Sequence, residues 1–369
     1  MNPVTHSPQS PYRRPRPGFA DFSRRTVRFS IAVLEGRAPL ERDSLRRSAR
    51  TAVDDLTEYL KVAQWSEAGF YALTGVAGVA VLVVAVAVAA VLAEGAQASF
   101  HAFGFGFLWG KIWNPNPSVN VFGVVPFVDD TLITSALALF LAVPLALGSA
   151  IFLTTQAPRW MRGPVGTAIE LLAAIPSVIY GLWGLYVLHP LMEKTVEPWL
   201  QKYLGWSGLF GGHAVGLDIL TAGVILAVMI VPTVAAVSRD TIAAVPSAQR
   251  EAALSLGATD WESTRMALLP YARSGIIGGI ILGLGRAMGE TMAVVMVIGG
   301  RDAVPTSLLS GGQTIASLIA NELVSYQTTL QVSAILEAGL VLLLISLLVN
   351  VVARLLVWRV LNVSTGTME

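Results

Sequence analysis

The 369-residue chain contains no cysteine, which excludes disulfides, thiolate-bound zinc and iron–sulfur clusters. Its four histidines, at positions 6, 101, 189 and 213, show no metal-ligand spacing, so no metal site is expected. Charge is also scarce. Asp, Glu, Lys and Arg make up 13% of the residues, about half the share of a soluble domain. Motifs for bond-making chemistry are missing too. In "GFLWGKI" a phosphate loop would need Gly at Phe105 and Ser or Thr at Ile112. "GLGRAMG" (283–289) lacks dinucleotide-fingerprint spacing, and no nucleophile elbow or zincin motif occurs. No catalytic residue is expected. If the protein moves a solute uphill, another chain supplies the energy.

What the chain has is apolar length: 54% hydrophobic residues and a mean hydropathy of +0.64. Crossing a bilayer takes about 20 apolar residues in a helix. Six runs qualify, at 70–93, 131–153, 165–188, 217–238, 274–299 and 332–357, and predict an all-α polytopic membrane protein. Pro176 and Pro232 fall inside the third and fourth, where neighbouring helices are expected to accommodate them. Residues 1–69 form an N-terminal extension without a span; residues 70–360 form the transmembrane domain. The start of the extension, "SPQSPYRRPRPG", has the composition of a disordered segment. Residues 40–64 read as a polar helix, either solvated or lying on anionic head groups.

Twenty of the 25 basic residues fall on the side of the N-terminus, and only Lys111, Lys194, Lys202 and Arg301 on the other. The positive-inside rule then puts both termini in the cytoplasm of a bacterial cell. Trp109, Trp113, Trp199 and Trp206 lie in the long external loops. They fit either an aromatic belt at the membrane surface or a docking platform for a soluble partner.

The same topology puts loop 239–273 in the cytoplasm. Within it, "EAALSLGATDWESTRMALLP" (251–270) reads as helix, turn, helix. Gly257 suits a left-handed helix stop. Thr259 and Glu262 have the spacing of a capping box that starts the second helix, and Pro270 is expected to end it.

The fifth run carries Gly275, Gly279 and Gly283, then Gly285 and Gly289, at four-residue spacing. Such stripes bring helices close, either within the subunit or against a partner permease. The run also carries Arg286 and Glu290, with Thr291 following. A charge at bilayer centre costs about 2.5–3.5 kcal/mol on insertion scales, so these residues are candidates for a substrate pathway. The competing reading is a structural ion pair. One-turn spacing puts both side chains on one face of a continuous helix. On the external side, Gln313, Thr314 and Ser317 sit where a helix N-terminus could receive an anion, or could simply start a surface helix.

"EAALSLGATDWESTRMALLP" resembles the EAA loop of binding-protein-dependent ABC importer permeases, E-A-A-x₃-G-x₉-I-x-L-P. Glu251, Ala252, Ala253, Gly257, Leu269 and Pro270 match, and Ala267 stands at the Ile position. Together with "YARSGIIGGIILGLGRAMGETMAVVMVIGG" (271–300) and "GQTIASLIANE" (312–322), it is similar to the phosphate branch of that family, the PstC permeases. "DDTLITS" (129–135) departs from that branch, where a Gly-Thr pair is expected. The resemblance implies a MetI-like fold with a coupling helix in loop 239–273, seated on an ATPase subunit. It also implies a homologous permease, PstA, an ATPase dimer, PstB, that binds ATP and Mg, and an external phosphate-binding protein, PstS. The chain itself would hold no cofactor. Rival functions are a permease for sulfate or molybdate and, of another class, an ATPase-independent secondary transporter. A secondary transporter would need no cytosolic coupling hairpin, and no inverted repeat is evident.

Overall fold

The computed structural model describes residues 42–362, with the side chains of 69–355 and of Val357. The Pro/Arg-rich start of the extension lies outside the described residues. Helix α1, Arg42–Gly95, runs unbroken from the expected polar helix into the first apolar run, Gly69–Gly95. Contacts divide the chain after Val84, and the second unit is Ala85–Glu369.

That unit continues with two short helices, α2 (Gln97–Phe103) and α3 (Gly106–Trp109), before the second span, α4 (Val125–Ile151). The second span extends through a π-helical turn to Gln156. Pro144 in α4 and Pro232 in α8 (Ile219–Ala243), the fourth span, are both absorbed in continuous helices. Pro176 is not. The expected third span is broken into α5 (Arg159–Ala174) and α6 (Ser177–Trp183), bent by 92°. Pro176 has no N–H to give, and its ring forces Ile175 into an extended conformation, with ψ 130°. Five helices among the described residues are therefore long and apolar enough to cross a membrane, six if the bent pair is one span.

After α6 the chain continues as alternating π and α turns to α7 (Glu197–Leu204). The hairpin after α8 consists of α9 (Ser247–Ser255) and α10 (Asp260–Ser263). Pro270 does not end the second arm, as the sequence suggested. A π-helical turn, Thr264–Leu268, carries the chain straight into α11 (Leu269–Gly289), where Pro270 occupies the first turn and no N–H is missed.

Helix α11, the fifth span, is shorter than its apolar run: it stops at Gly289 rather than 299. A four-residue helix, α12 (Met292–Val295), follows. Positive φ at Gly299 and Gly300 then turns the chain toward α13 (Ile315–Ser325) and the last span, α14 (Thr329–Asn362).

The core is centred on α8, whose Ile225, Leu226, Met229 and Ile230 are fully buried. Lipid tails are as apolar as these side chains, so close approach, rather than transfer from water, holds such helices together. Glycines provide it. A Cβ on Gly275, Gly279 or Gly283 would meet Thr241, Val237 or Val234 of α8, and one on Gly223 would meet Leu137 of α4. Gly275, Gly279 and Gly283 thus pack within the subunit. Gly289 faces open space.

A second cluster joins Phe107, Trp113, Phe122 and Phe127 to Ile315, Leu318 and Ile335. Trp113 is thus buried and belongs to neither of its two expected settings. Its Nε1 donates to the Glu322 carboxylate at 2.8 Å, which also accepts from Gln331 Nε2 at 2.8 Å. Trp109, Trp199 and Trp206 are exposed.

Candidate functional site

Arg286 does not lie mid-span. It occupies the last turn of α11, where a cation meets the partial negative charge of the open carbonyls. Its Nη1 donates to Thr233 Oγ1 of α8 at 3.0 Å. Glu290 has already left the helix: it is the C-cap, with ψ 128°, and its Oε1 accepts the Thr291 N–H at 3.2 Å. The assumption that Arg286 and Glu290 share one helix face therefore fails. They also form no ion pair among the described residues, which disfavours the structural-lock reading.

Two broken segments meet here. Tyr180 of α6 lies within electrostatic reach of Arg286 and donates its hydroxyl to Leu172 O at 2.8 Å, bracing the bend at Pro176. Gly181 lets α6 sit directly on the chain beyond Glu290. A Cβ there would come within 2.6 Å of Met296 Sδ and 3.1 Å of Ala293 Cα. Interrupted backbone at membrane depth is stable only where protein or a watery cavity satisfies it. Arg286, half-buried, stands at such an interruption, with guanidinium donors beyond the one used by Thr233.

The α9–α10 hairpin has the expected helix–turn–helix geometry. Gly257 has φ +87°, and Thr259 and Glu262 form both halves of the capping box. Arg250 of α9 donates to Asp260 of α10 at 2.9 Å and so closes the two arms. Glu251, Ala252 and Pro270 are exposed; Ala253 and Leu269 are half-buried. Leu256 and Trp261 are exposed at 89% and 57%, so the hairpin offers apolar surface at its tip. Ala267, at the family's Ile position, packs against a cluster of Ala150, Ile242, Leu268, Ala272 and Ile276.

The third candidate group is placed differently from its expectation. Gln313, Thr314 and Ser317 are buried, and the N-terminus of α13 that they begin is occupied from within. Gln313 N donates to Asp130 Oδ2 at 2.6 Å, Ile315 N to Thr131 Oγ1 at 3.0 Å, and Ser317 N to Thr314 Oγ1 at 3.2 Å. Three of the N–H groups that an anion would use are thus satisfied from within the protein. The Asp130–Thr131 pair, which looked like a mere departure from the family pattern, caps this neighbouring helix.

Sequence reasoning also missed Thr233 and a pair of buried carboxyl groups, Glu197 and Asp218, close enough to feel each other's charge. Each accepts a backbone N–H as well, Glu197 from Gly216 at 3.0 Å and Asp218 from Thr221 at 2.8 Å. Burial pushes the Asp218 carboxyl above its ordinary range. Asp218 was legible as an N-cap, standing just before an apolar run with Thr three residues on.

The sequence pattern of the binding-protein-dependent transport system inner membrane component family matches residues 127–362. The chain belongs to this family. It is therefore a multi-pass membrane protein of the inner-membrane component type. Among relatives, it is 45% identical to the phosphate transport system permease protein PstC of Pasteurella multocida, over 86% of this chain and 98% of the relative. It is 43% identical to the protein of that description from Mesorhizobium japonicum, over 80% and 91%. Among solved structures, an inward-facing MetNI methionine ABC transporter chain aligns with a TM-score of 0.47 and 18% identity, covering 64% of this chain and 95% of that one.

Proposed function

We propose that this chain is the permease subunit of an ATP-driven phosphate importer, with a homologous permease (PstA) completing the pathway, a PstB-type ATPase dimer beneath it and a PstS-type binding protein outside. The observation that carries the reading is the combination of an exposed Gly257-hinged hairpin with Arg286 at the meeting of two broken segments. The relatives' phosphate transport names supply the solute. Both termini and the hairpin face the cytoplasm. Catalysis of ATP hydrolysis belongs to the ATPase chain.

In this reading, ATP-driven closure of the ATPases moves the α9–α10 hairpin through Leu256 and Trp261, and α10 passes the motion on without a break into α11. Arg286, at the far end of α11, attracts the oxyanion transiently. Phosphate retains a proton at neutral pH and sulfate does not. Glu290 accepts that hydroxyl and repels sulfate, since an ionised carboxylate only accepts. Thr291 lines the same interruption.

The test is phosphate-stimulated ATPase activity of the assembled complex, with sulfate as competitor. Phosphate is expected to stimulate and sulfate to have no effect. Gly257→Val, which puts a β-branched residue at positive φ, is expected to uncouple ATP hydrolysis from uptake while leaving membrane insertion intact. Sulfate stimulation, or normal uptake by an assembled Gly257→Val complex, would overturn the assignment.

A further inference from the structure

At the root of the coupling hairpin lies a cavity of about 530 Å³, between the end of the second span, the start of α5, the end of α8 and the start of α9. Three arginines line it: Arg162, Arg239 and Arg250. Two are already balanced by acids. Arg239 pairs with Glu170 at 2.8 Å and Asp240 at 3.0 Å, and Arg250 with Asp260 at 2.9 Å. The Arg250 Nε is nevertheless buried without a partner.

Arg162 is different. Its Nε donates to Ala157 O at 2.8 Å, which fixes the guanidinium, and among the described residues it has no carboxylate partner. The rim adds further donors. Helix α9 begins after Pro246, which has no side chain able to cap it, so the N–H groups of its first turn are closed by no side chain. The nearby Thr154 and Thr155 hydroxyls donate to Ala150 O and Ile151 O, and so contribute no donor of their own. Gln249 N closes on Pro246 O at 3.0 Å, so the cavity combines the exposed Arg162 guanidinium, held at its Nε, with the N–H groups of Ser247 and Ala248, and oxyanions match that chemistry. Its depth in the membrane is marked by Trp160, exposed at 75% between Arg159 and Arg162, as indole rings are at head-group level. Basic pockets between spans on the cytoplasmic side characteristically hold phospholipid head groups.

We propose that this cavity binds a phosphate oxyanion through Arg162 and the start of α9, supplied either by an anionic phospholipid head group or by free cytoplasmic phosphate. The proposal takes from the function above only the leaflet in which the hairpin lies. A ligand here would bridge α5 to α9 and set the rest position of the coupling hairpin.

The absence of cysteine makes the test direct. Gly163 lines the cavity, and a Cβ there meets nothing within 4 Å, so Gly163→Cys introduces a single reporter thiol in this chain. Its reaction with a neutral maleimide is followed in the assembled complex, in vesicles of phosphatidylcholine alone and in vesicles containing phosphatidylglycerol. Inorganic phosphate, or chloride at equal ionic strength, is added to the former. Phosphate at about ten times its dissociation constant is expected to slow labelling roughly tenfold, and chloride to leave it unchanged, if the source is free anion. Slowing by phosphatidylglycerol without added phosphate identifies the lipid. In either case Arg162→Gln restores fast labelling and Arg162→Lys retains most of the protection. Labelling that neither probe slows, or protection that survives Arg162→Gln, overturns the proposal. Failed phosphate transport with intact protection would instead count against the function assigned above, so the two readings fail separately.

Discussion

Arg286 and Thr233 are joined by a 3.0 Å hydrogen bond that ties the last turn of α11 to α8, one residue after Pro232. The bond sets where the guanidinium points, because the arginine has no carboxylate to hold it among the described residues. The position of Arg286 therefore depends on a neutral hydroxyl of α8. Hydrogen bonds to charged groups contribute about 1.5–3 kcal/mol.

Thr233→Val, which keeps the branched shape and removes the hydroxyl, is expected to lower uptake at limiting phosphate by roughly tenfold or more. Thr233→Ser should retain most activity, and Arg286→Gln should abolish it. Radiolabelled phosphate uptake by the reconstituted complex measures all three. Equal activity of Thr233→Val and wild type would show that Arg286 is oriented by something other than this bond.

Close packing of α11 on α8 gives a second expectation. Gly279→Leu forces a side chain into Val237, and overpacking of this kind costs about 1–3 kcal/mol. The variant should lose thermal stability in detergent. Gly278→Leu, where a Cβ meets nothing, should not lose stability within the subunit. If Gly278→Leu instead prevents co-purification of the partner permease, that face of α11 is the seam between the two.

The spans and the hairpin were legible because each rests on local chemistry. Apolar length fixes a span, and Gly257, Thr259 and Glu262 act within a few residues of one another. The interruptions were not legible. Pro144, Pro176 and Pro232 look alike in sequence, yet of the three only Pro176 breaks its span. The end of α11 at Gly289 was hidden by the apolar residues that follow, of which Ala293, Val294, Val297 and Ile298 are buried in the core around α8. The caps on α13 come from Asp130 and Thr131, more than 180 residues away in the chain. No pattern within one segment could show that the Gln313 and Ile315 N–H groups were already occupied.

Those caps lead to a third prediction. Thr314→Ala removes the α13 N-cap, a change that costs about 1 kcal/mol, and should lower stability without raising the phosphate concentration needed for half-maximal uptake. Asp130→Leu is more severe, since it leaves the buried Gln313 N–H unpaired, a loss of about 1–3 kcal/mol. Asp130→Asn keeps an acceptor and should be milder. Thermal unfolding and uptake curves on the same preparations separate the two effects. A shifted half-saturation with unchanged stability would restore an external anion site at α13.

The last prediction concerns pH and Asp302, in the segment between α12 and α13. Its Oδ1 is buried without a partner, and the Glu322 carboxylate is close. Burial first, and then the Glu322 charge, push its carboxyl up to about 6. The sign follows from proton counting: between an unfolded value of about 4 and the folded value of about 6, the folded protein holds more proton than the unfolded chain. Stability from this group is therefore highest below about pH 4, falls as pH rises through that window, and stays reduced above it. Asp302→Asn keeps the shape, removes the charge and supplies an amide that can donate to Glu322. The variant should unfold at a higher temperature than wild type at neutral and alkaline pH. The gap should close as pH is lowered through the same window, because wild-type Asp302 then becomes neutral too. Melting curves of the assembled complex across that range provide the measurement. A gap that is independent of pH would mean that Asp302 stays ionised and solvated in the folded protein, and that the buried oxygen has found a partner in the assembly.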